Sequence, residues 1–250
     1  MIVIKTADEI KRMQEAGAIA ARARELLVKE AQVGMTTLEL DAMARDCIVK
    51  AGAKPSFYHY NGYPGNVCIS LNDEVVHGIP SDRKLEDGDV VSVDVGAYIH
   101  GVHGDTADSV QVGTQTEEAT RLMEVTRQSF YEGLKYCYPG KRVGDIGHAV
   151  QMYVEAHGYG VVRALTGHGV GKHLHEDPQV PNYGRENTGD YLKPGMTIAI
   201  EPMVNQGTHR VYTLEDDWTV VTADGKLSAH YEHSVAITDG EPILLTQWIP

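Results

Sequence analysis

Cysteine is scarce. Cys47, Cys68 and Cys137 are the only three in 250 residues. They are odd in number, far apart and form no CxxC pair. That argues against a disulfide framework and a thiolate zinc site, and for a reducing compartment. Long apolar runs are missing too: nothing approaches the roughly 18–20 residues of a membrane span. The first residues, MIVIKTADEIKR, lack the apolar stretch of a signal peptide. Positive charge is in deficit, with 22 Lys and Arg against 35 Asp and Glu, for a net charge of −13. The balance is +1 through Lys54 and −14 beyond it. Such a chain does not offer a general nucleic-acid surface. One local basic face remains on the first helical segment: Lys11, Arg12, Arg22, Arg24 and Lys29. It reads as a solvated helix face.

What is present is an ordinary globular composition, 42% hydrophobic and 23% charged. Two capping-box patterns, Thr6-Ala-Asp-Glu9 and Thr36-Thr-Leu-Glu39, open helical segments over about 7–30 and 37–51. β-like runs follow: NVCISL, DVVSVDVGAYI and ADSVQVG. Two more helical stretches come next, EEATRLMEVTRQSFYEGLKYC and VGDIGHAVQMYVEAHG. The strands MTIAIEPMV, WTVVTAD and HYEHSVAIT close the chain. NYGRENTGDYLKPG reads as a turn-rich surface loop. No stretch reads as a linker, so one domain spanning 1–250 is expected.

The order helix–helix–strands occurs twice. Gly34 and Gly140 precede the second helix of each half, and Gly52 and Gly158 end those helices, each pair 106 residues apart. Gly88 and Gly195 precede the strands that hold Asp94 and Glu201, both pairs 107 apart. An internal duplication, about 1–115 and 116–250, is expected. It would set two similar apolar strands face to face, each with one out-of-place carboxylate.

Those carboxylates carry the chemistry. Asp94 (VVSVDVG), Glu201 (TIAIEPMVN) and Glu232 (HYEHSVAI) interrupt apolar runs with no basic residue nearby. Asp105, in HGDTAD, taken alone reads more readily as a turn, cap or ion-pair residue. Several negative charges in a core-like setting call for divalent cations with oxygen ligands. Four carboxylates balance two divalent ions, and two ions about 3.5–4 Å apart can share and deprotonate a water near neutral pH. The nitrogen ligand should come from TGHGVGKHLHEDP, where His168 lies between glycines that permit unusual backbone angles and close approach. The Gly167-x-Gly169-x-Gly171 spacing does not make a phosphate loop, since no helix start follows. His77, at a strand end before Gly-Ile-Pro, and His175 are the candidates for oxyanion donor and proton shuttle.

At this point the residues resemble a known set. Asp94, Asp105 eleven residues on, His168, Glu201 and Glu232 look like the five-ligand dimetal site of the pita-bread metallopeptidases, family M24. GHGVGKHLHEDP, IEPM, YEHSVAI, YNGYPGNVCISLNDEVVHGIP and DDWTVVTADGKLSAHYEH resemble the type I methionine aminopeptidases over essentially the whole chain. The resemblance implies an α/β (α+β) pita-bread fold, in which a curved, mainly antiparallel sheet is backed by two pairs of helices with pseudo-two-fold symmetry. It implies two divalent ions per chain (Co, Mn, Fe or Zn), with Asp94 on one, Asp105 and Glu232 bridging, and His168 and Glu201 on the other. A bridging metal-bound hydroxide would attack the scissile carbonyl, with Glu201 or the hydroxide as base and His77 and His175 on the scissile amide.

The methionine side chain would lie among Tyr60, Tyr63, Cys68, Trp218 and His77. Phe57 and Leu174, where some members have Cys and Phe, put the pocket's tightness in question. Substrates would be nascent chains and peptides with a small second residue. A cytoplasmic monomer in transient contact with the ribosome is expected, with no membrane or direct nucleic-acid function. Two rivals stand beside this reading. X-Pro aminopeptidases and prolidases share the ligands but carry a separate N-terminal domain. Non-catalytic relatives with the same shell typically lose metal ligands, whereas all five are kept here.

Overall fold

The computed structural model of the protein describes residues 1–248. The four helical segments form where their sequence signals place them: α1 Ala7–Glu30, α2 Thr37–Lys50, α3 Glu117–Leu134 and α4 Val143–Ala156. Both capping boxes are made. The Thr6 and Thr36 amides donate to Glu9 and Glu39 Oε2 at 2.9 and 2.7 Å, and the threonine hydroxyls accept from the amides of Glu9 and Glu39. Each such cap contributes about 1 kcal/mol.

Among the described residues the main sheet has nine strands, all antiparallel. In spatial order they run Lys54–Pro55, Val90–Ile99, Val102–Gln111, Glu232–Ala236, Thr197–Ile200, Gly167–Gly169 and Glu176–Val180; Cys68–Leu71 pairs with Val90–Ile99 and Ile243–Leu244 with Glu232–Ala236. The expected antiparallel sheet backed by two helix pairs is therefore what the chain forms. Alternation along the strands assigns the two faces. Val91, Val93 and Val95 pack with Leu27 of α1 and Leu40 and Ile48 of α2. Ile198, Ile200 and Val235 pack with Phe130 of α3 and Val143 and Ile146 of α4. The alternate residues face away from the helices, Asp94 and Glu232 among them, and Glu201 directly follows Ile200.

Several local expectations need correction. Glu201 does not lie within a strand: Thr197–Ile200 ends before it, and Met203–Asn205 belongs to a different, three-stranded sheet. Pro202 has no amide proton to continue a ladder, so the chain changes sheets there. Glu201 sits at the break. HYEHSVAIT is likewise not one strand: His230 ends the strand Ser228–His230, and Glu232–Ala236 is a separate one. Asp105 is no turn residue; its strand starts at Val102 and it lies buried inside it. Arg24 does not join the solvated basic face of α1. It is buried and its guanidinium donates to Thr106 Oγ1 at 2.6 Å.

Paired features recur between the halves. Gly34 and Gly140 have φ 90° and 87°, and Gly52 and Gly158 have 79° and 85°. Isolated bridges join Thr36 to Lys84 and Arg142 to Tyr191, each just ahead of a second helix.

Candidate metal centre

Strand register gathers the acids. Cys68 pairs with Asp94, Asp94 with Ala107, and Ala107 with Glu232, so these residues form one row across the sheet. Ala107 contributes only a methyl group between the two carboxylates. Asp105 lies two residues along the same face. His233 pairs with Ile200, which brings Glu201, one residue on, level with Glu232. The backbone around this row is clamped by hydroxyls. Ser234 Oγ accepts from the Asp105 amide at 3.1 Å and donates to the Asp105 carbonyl at 2.9 Å. Thr106 Oγ1, fixed by Arg24, donates to the Glu232 carbonyl at 2.7 Å.

His168 closes the group. Its glycine neighbours serve close approach rather than unusual angles, since none of the three has positive φ. A Cβ on Gly167 would lie 2.3 Å from the Ala199 carbonyl oxygen, and one on Gly169 2.1 Å from that of Asp177. The ring's Nδ1 donates to the Gly169 carbonyl at 2.8 Å, so Nε2 presents a lone pair. That lone pair faces Glu201 Oε1 at 3.4 Å and Asp105 Oδ2 at 3.8 Å. Burial, and then His175 beside it, lowers the His168 pKa to about 3, so the ring is neutral. Ligand atoms of Asp105, His168 and Glu232, all buried, lie within 4.8 Å of one another.

The electrostatics of this cluster are unfavourable as the side chains stand. Asp94 Oδ1, Asp105 Oδ1, Glu201 Oε1 and Glu232 Oε1 are buried and have no hydrogen-bond partner. Each such acceptor costs about 1–3 kcal/mol. Burial first, then the neighbouring carboxylates, raises the pKa of Asp94, Glu201 and Glu232 well above the usual range; burial raises Asp105 as well. A neutral imidazole lone pair aimed at carboxylate oxygens is repulsive unless a cation lies between them. One imidazole nitrogen with several carboxylate oxygens suits a divalent ion. The residues therefore fit the metal that the chemistry requires.

Every residue singled out from the sequence for this site lines one cavity of about 190 Å³, and Phe57, Asn61 and Leu174 complete it. Phe57, Tyr63, Cys68 and Leu174 are buried together, with Tyr60 and Trp218 packed against them. The Tyr63 ring meets Trp218 edge-on at 5.1 Å, and its hydroxyl donates to the Gly78 carbonyl at 2.8 Å. Burial pushes the Cys68 thiol well up, so it is a neutral wall. His77 adopts φ 61°, an uncommon left-handed value for histidine, just past the strand Glu74–Val76. Burial, then His175, lowers its pKa to about 4. His175 stands at the exposed mouth, 4.1 Å from the His168 ring centroid, with Nδ1 2.8 Å from the Tyr60 hydroxyl.

The loop bearing His175 is pinned by the buried ion pair Lys5–Glu176 at 2.6 Å, and Glu176 also accepts from the His173 amide. Two buried residues here had no sequence signal. Asn182, read as the start of a surface loop, is 1% exposed and donates to the Glu201 carbonyl at 3.0 Å. His230, 2% exposed, has its Nε2 3.9 Å from Glu232 Oε2.

A buried centre of carboxylates and one imidazole, opening into a small aromatic slot, is the site of a metal-dependent hydrolase. Comparison with known proteins specifies which. The chain belongs to metallopeptidase family M24, whose family model matches residues 11–239, and within it to the methionine aminopeptidases. It is 51% identical to methionine aminopeptidase 1 of Bacillus subtilis (strain 168), over 99% of this chain and all of that one. The crystal structure of the methionine aminopeptidase from Thermotoga maritima superposes with a TM-score of 0.97 at 45% identity, covering 99% of this chain and 100% of that one. The prolidase from Pyrococcus furiosus is similar at TM-score 0.81 and 25% identity, but the match covers 66% of that chain against 99% of this one.

Proposed function

We propose that this metallopeptidase removes the N-terminal methionine from nascent proteins and peptides with a small second residue, using two divalent cations held by Asp94, Asp105, His168, Glu201 and Glu232. The observation that carries this is the set of four unpartnered buried carboxylate oxygens, one of which, Glu201 Oε1, stands 3.4 Å from the neutral imidazole lone pair of His168. In this reading Asp94, Asp105, His168, Glu201 and Glu232 would together hold the cations, the four carboxylates offsetting their charge and His168 supplying the one nitrogen. Bound there, the cations would supply Lewis acidity and make a water acidic enough to ionise near neutral pH. Glu201 takes and returns the proton. His77 and His175 hydrogen-bond the scissile amide and its developing oxyanion. Their lowered pKa values keep them neutral, so each has one ring N–H to donate and one lone pair. Tyr60 holds His175 in orientation.

The methionine side chain occupies the slot of Tyr60, Tyr63, Cys68, His77 and Trp218, where a thioether gains sulfur–aromatic contacts. Leu174 and Phe57 close the slot on the buried side. A cavity of about 190 Å³ suits one side chain and excludes a longer chain. The carboxylates also seat the free α-amine, so one residue is released.

The protein acts as a cytoplasmic monomer. Contact with a ribosome would use the exposed basic residues of α1, Lys11, Arg22 and Lys29, with the half-buried Arg12 beside them and without the buried Arg24. The single domain of 1–250 derives from duplication of halves near 1–115 and 116–250. The paired left-handed glycines and the paired Thr36–Lys84 and Arg142–Tyr191 bridges support this. Hydrolysis of a Met-Xaa peptide series beside Xaa-Pro peptides, with a titration of Co, Mn, Fe and Zn, tests the function. Cleavage confined to Met-Gly, Met-Ala and similar peptides is expected; cleavage of Xaa-Pro alone would refute it.

A further inference from the structure

His230 has no place in the mechanism above, yet its Nε2 is buried without a hydrogen-bond partner. The atom lies 3.9 Å from Glu232 Oε2, and both side chains are almost wholly buried. His230 is outside the group of ligand atoms formed by Asp105, His168 and Glu232. Its main chain cannot drift, because Ser109 Oγ donates to the His230 carbonyl at 2.8 Å and accepts from its amide at 3.0 Å. Ser109 Oγ is tied in turn to Ser92 Oγ at 2.8 Å. Backbone pairing with Met203 completes the clamp. A buried ring on a main chain held this firmly, with its unpartnered nitrogen 3.9 Å from a carboxylate oxygen, is placed to orient that carboxylate.

We propose that His230 is a positioning residue of the metal centre, donating its Nε2–H to the Glu232 carboxylate, directly or through one water, and so fixing the rotamer in which Glu232 binds metal. The inference rests on Glu232 being a ligand, as proposed above. The gap of 3.9 Å closes with a small carboxylate rotation or is filled by a bridging water. Outer donors of this kind typically sustain metal affinity by about 10–100-fold.

Two measurements test it. In the first, Mn(II) is titrated calorimetrically into metal-free wild type, His230→Gln, His230→Met and Glu232→Gln. The side-chain amide of glutamine can still donate, whereas methionine fills the space without a donor. The expected result is weakening of the tightest site by about 10–100-fold in His230→Met and by no more than about threefold in His230→Gln. Equal affinity in His230→Met and wild type overturns the proposal, as does equal loss in both variants, which would mark a packing role. If wild type itself binds no Mn(II), or Glu232→Gln binds as wild type does, the ligand assignment fails instead. The second measurement stands if His230→Met does not fold. In wild type labelled with 15N-histidine, NMR should show Nε2 of His230 protonated at neutral pH and still protonated with Zn(II) bound. An unprotonated Nε2 cannot donate and overturns the proposal; one that loses its proton on adding Zn(II) is a direct ligand and overturns it equally.

Discussion

Replacing Asp105 by asparagine should stabilise the metal-free protein while destroying its metal-dependent activity. The carboxyl is 4% exposed and its Oδ1 has no partner. Burial pushes its pKa up to about 7. In the unfolded chain an aspartate titrates near 3.9. Between those values the folded state holds a proton that the unfolded state has lost, so stability falls as pH rises through the window. The penalty is complete above about 7 and absent below about 4. At 1.36 kcal/mol per pKa unit it is on the order of 4 kcal/mol at pH 8 and about 1.5 kcal/mol at pH 5.

Asparagine keeps the shape and removes the charge. In a chain of this size about 1 kcal/mol moves Tm by roughly 2–4 °C. Thermal melts in EDTA should therefore show Asp105→Asn above wild type by about 8–16 °C at pH 8, shrinking to roughly 3–6 °C at pH 5. Added Mn(II) should close the gap at pH 8, because a ligand at 1,000 times its Kd stabilises wild type by about 4 kcal/mol. An asparagine variant less stable than wild type in EDTA at pH 8, or a gap independent of pH, would refute the picture of a charge cluster waiting for cations.

Other variants probe separate parts of the site. Glu201→Gln and His168→Ala should each abolish peptide hydrolysis with an unchanged circular dichroism spectrum, and near-normal turnover in either would remove it from the ligand set. His175→Ala should lower kcat by about 10²–10⁴, the range for acid–base and oxyanion partners, and an unchanged kcat would exclude it from the reaction. Leu174→Ala opens the fully buried floor of the slot; a loss of about 2–5 kcal/mol in urea denaturation is expected, with a raised KM for Met-Ala peptides. A KM that stays constant would show that methionine binds elsewhere.

The helices and the acidic residues were legible in the sequence because both leave local marks. Thr6, Thr36 and the glycines after each helix announce ends, and a carboxylate amid Val and Ile stands out wherever it falls. The register that brings Asp94, Ala107 and Glu232 into one row is not local. Periodicity says that a residue faces in, but not what it faces. For that reason Glu201 read as a strand interior, although Pro202 lets the chain leave the sheet beside it. Asp105 taken alone resembled a turn, cap or ion-pair residue because it lies between Gly104 and Thr106, whereas that glycine allows α1 to approach: a Cβ there would lie 2.5 Å from the Gly17 backbone. Arg24 looked like its exposed neighbours, since helical phase alone does not reveal Thr106 beneath it. The hydrogen bonds that fix the His230 main chain and that Asn182 makes run to residues distant in sequence, Ser109 and Glu201, and so left no pattern to read.

Anomalous diffraction from crystals grown with excess Mn(II) addresses the gathering of charge most directly. The account predicts two peaks about 3.5–4 Å apart, enclosed by Asp94, Asp105, His168, Glu201 and Glu232. Finding no peak among those side chains, or manganese only at surface acids, would contradict it.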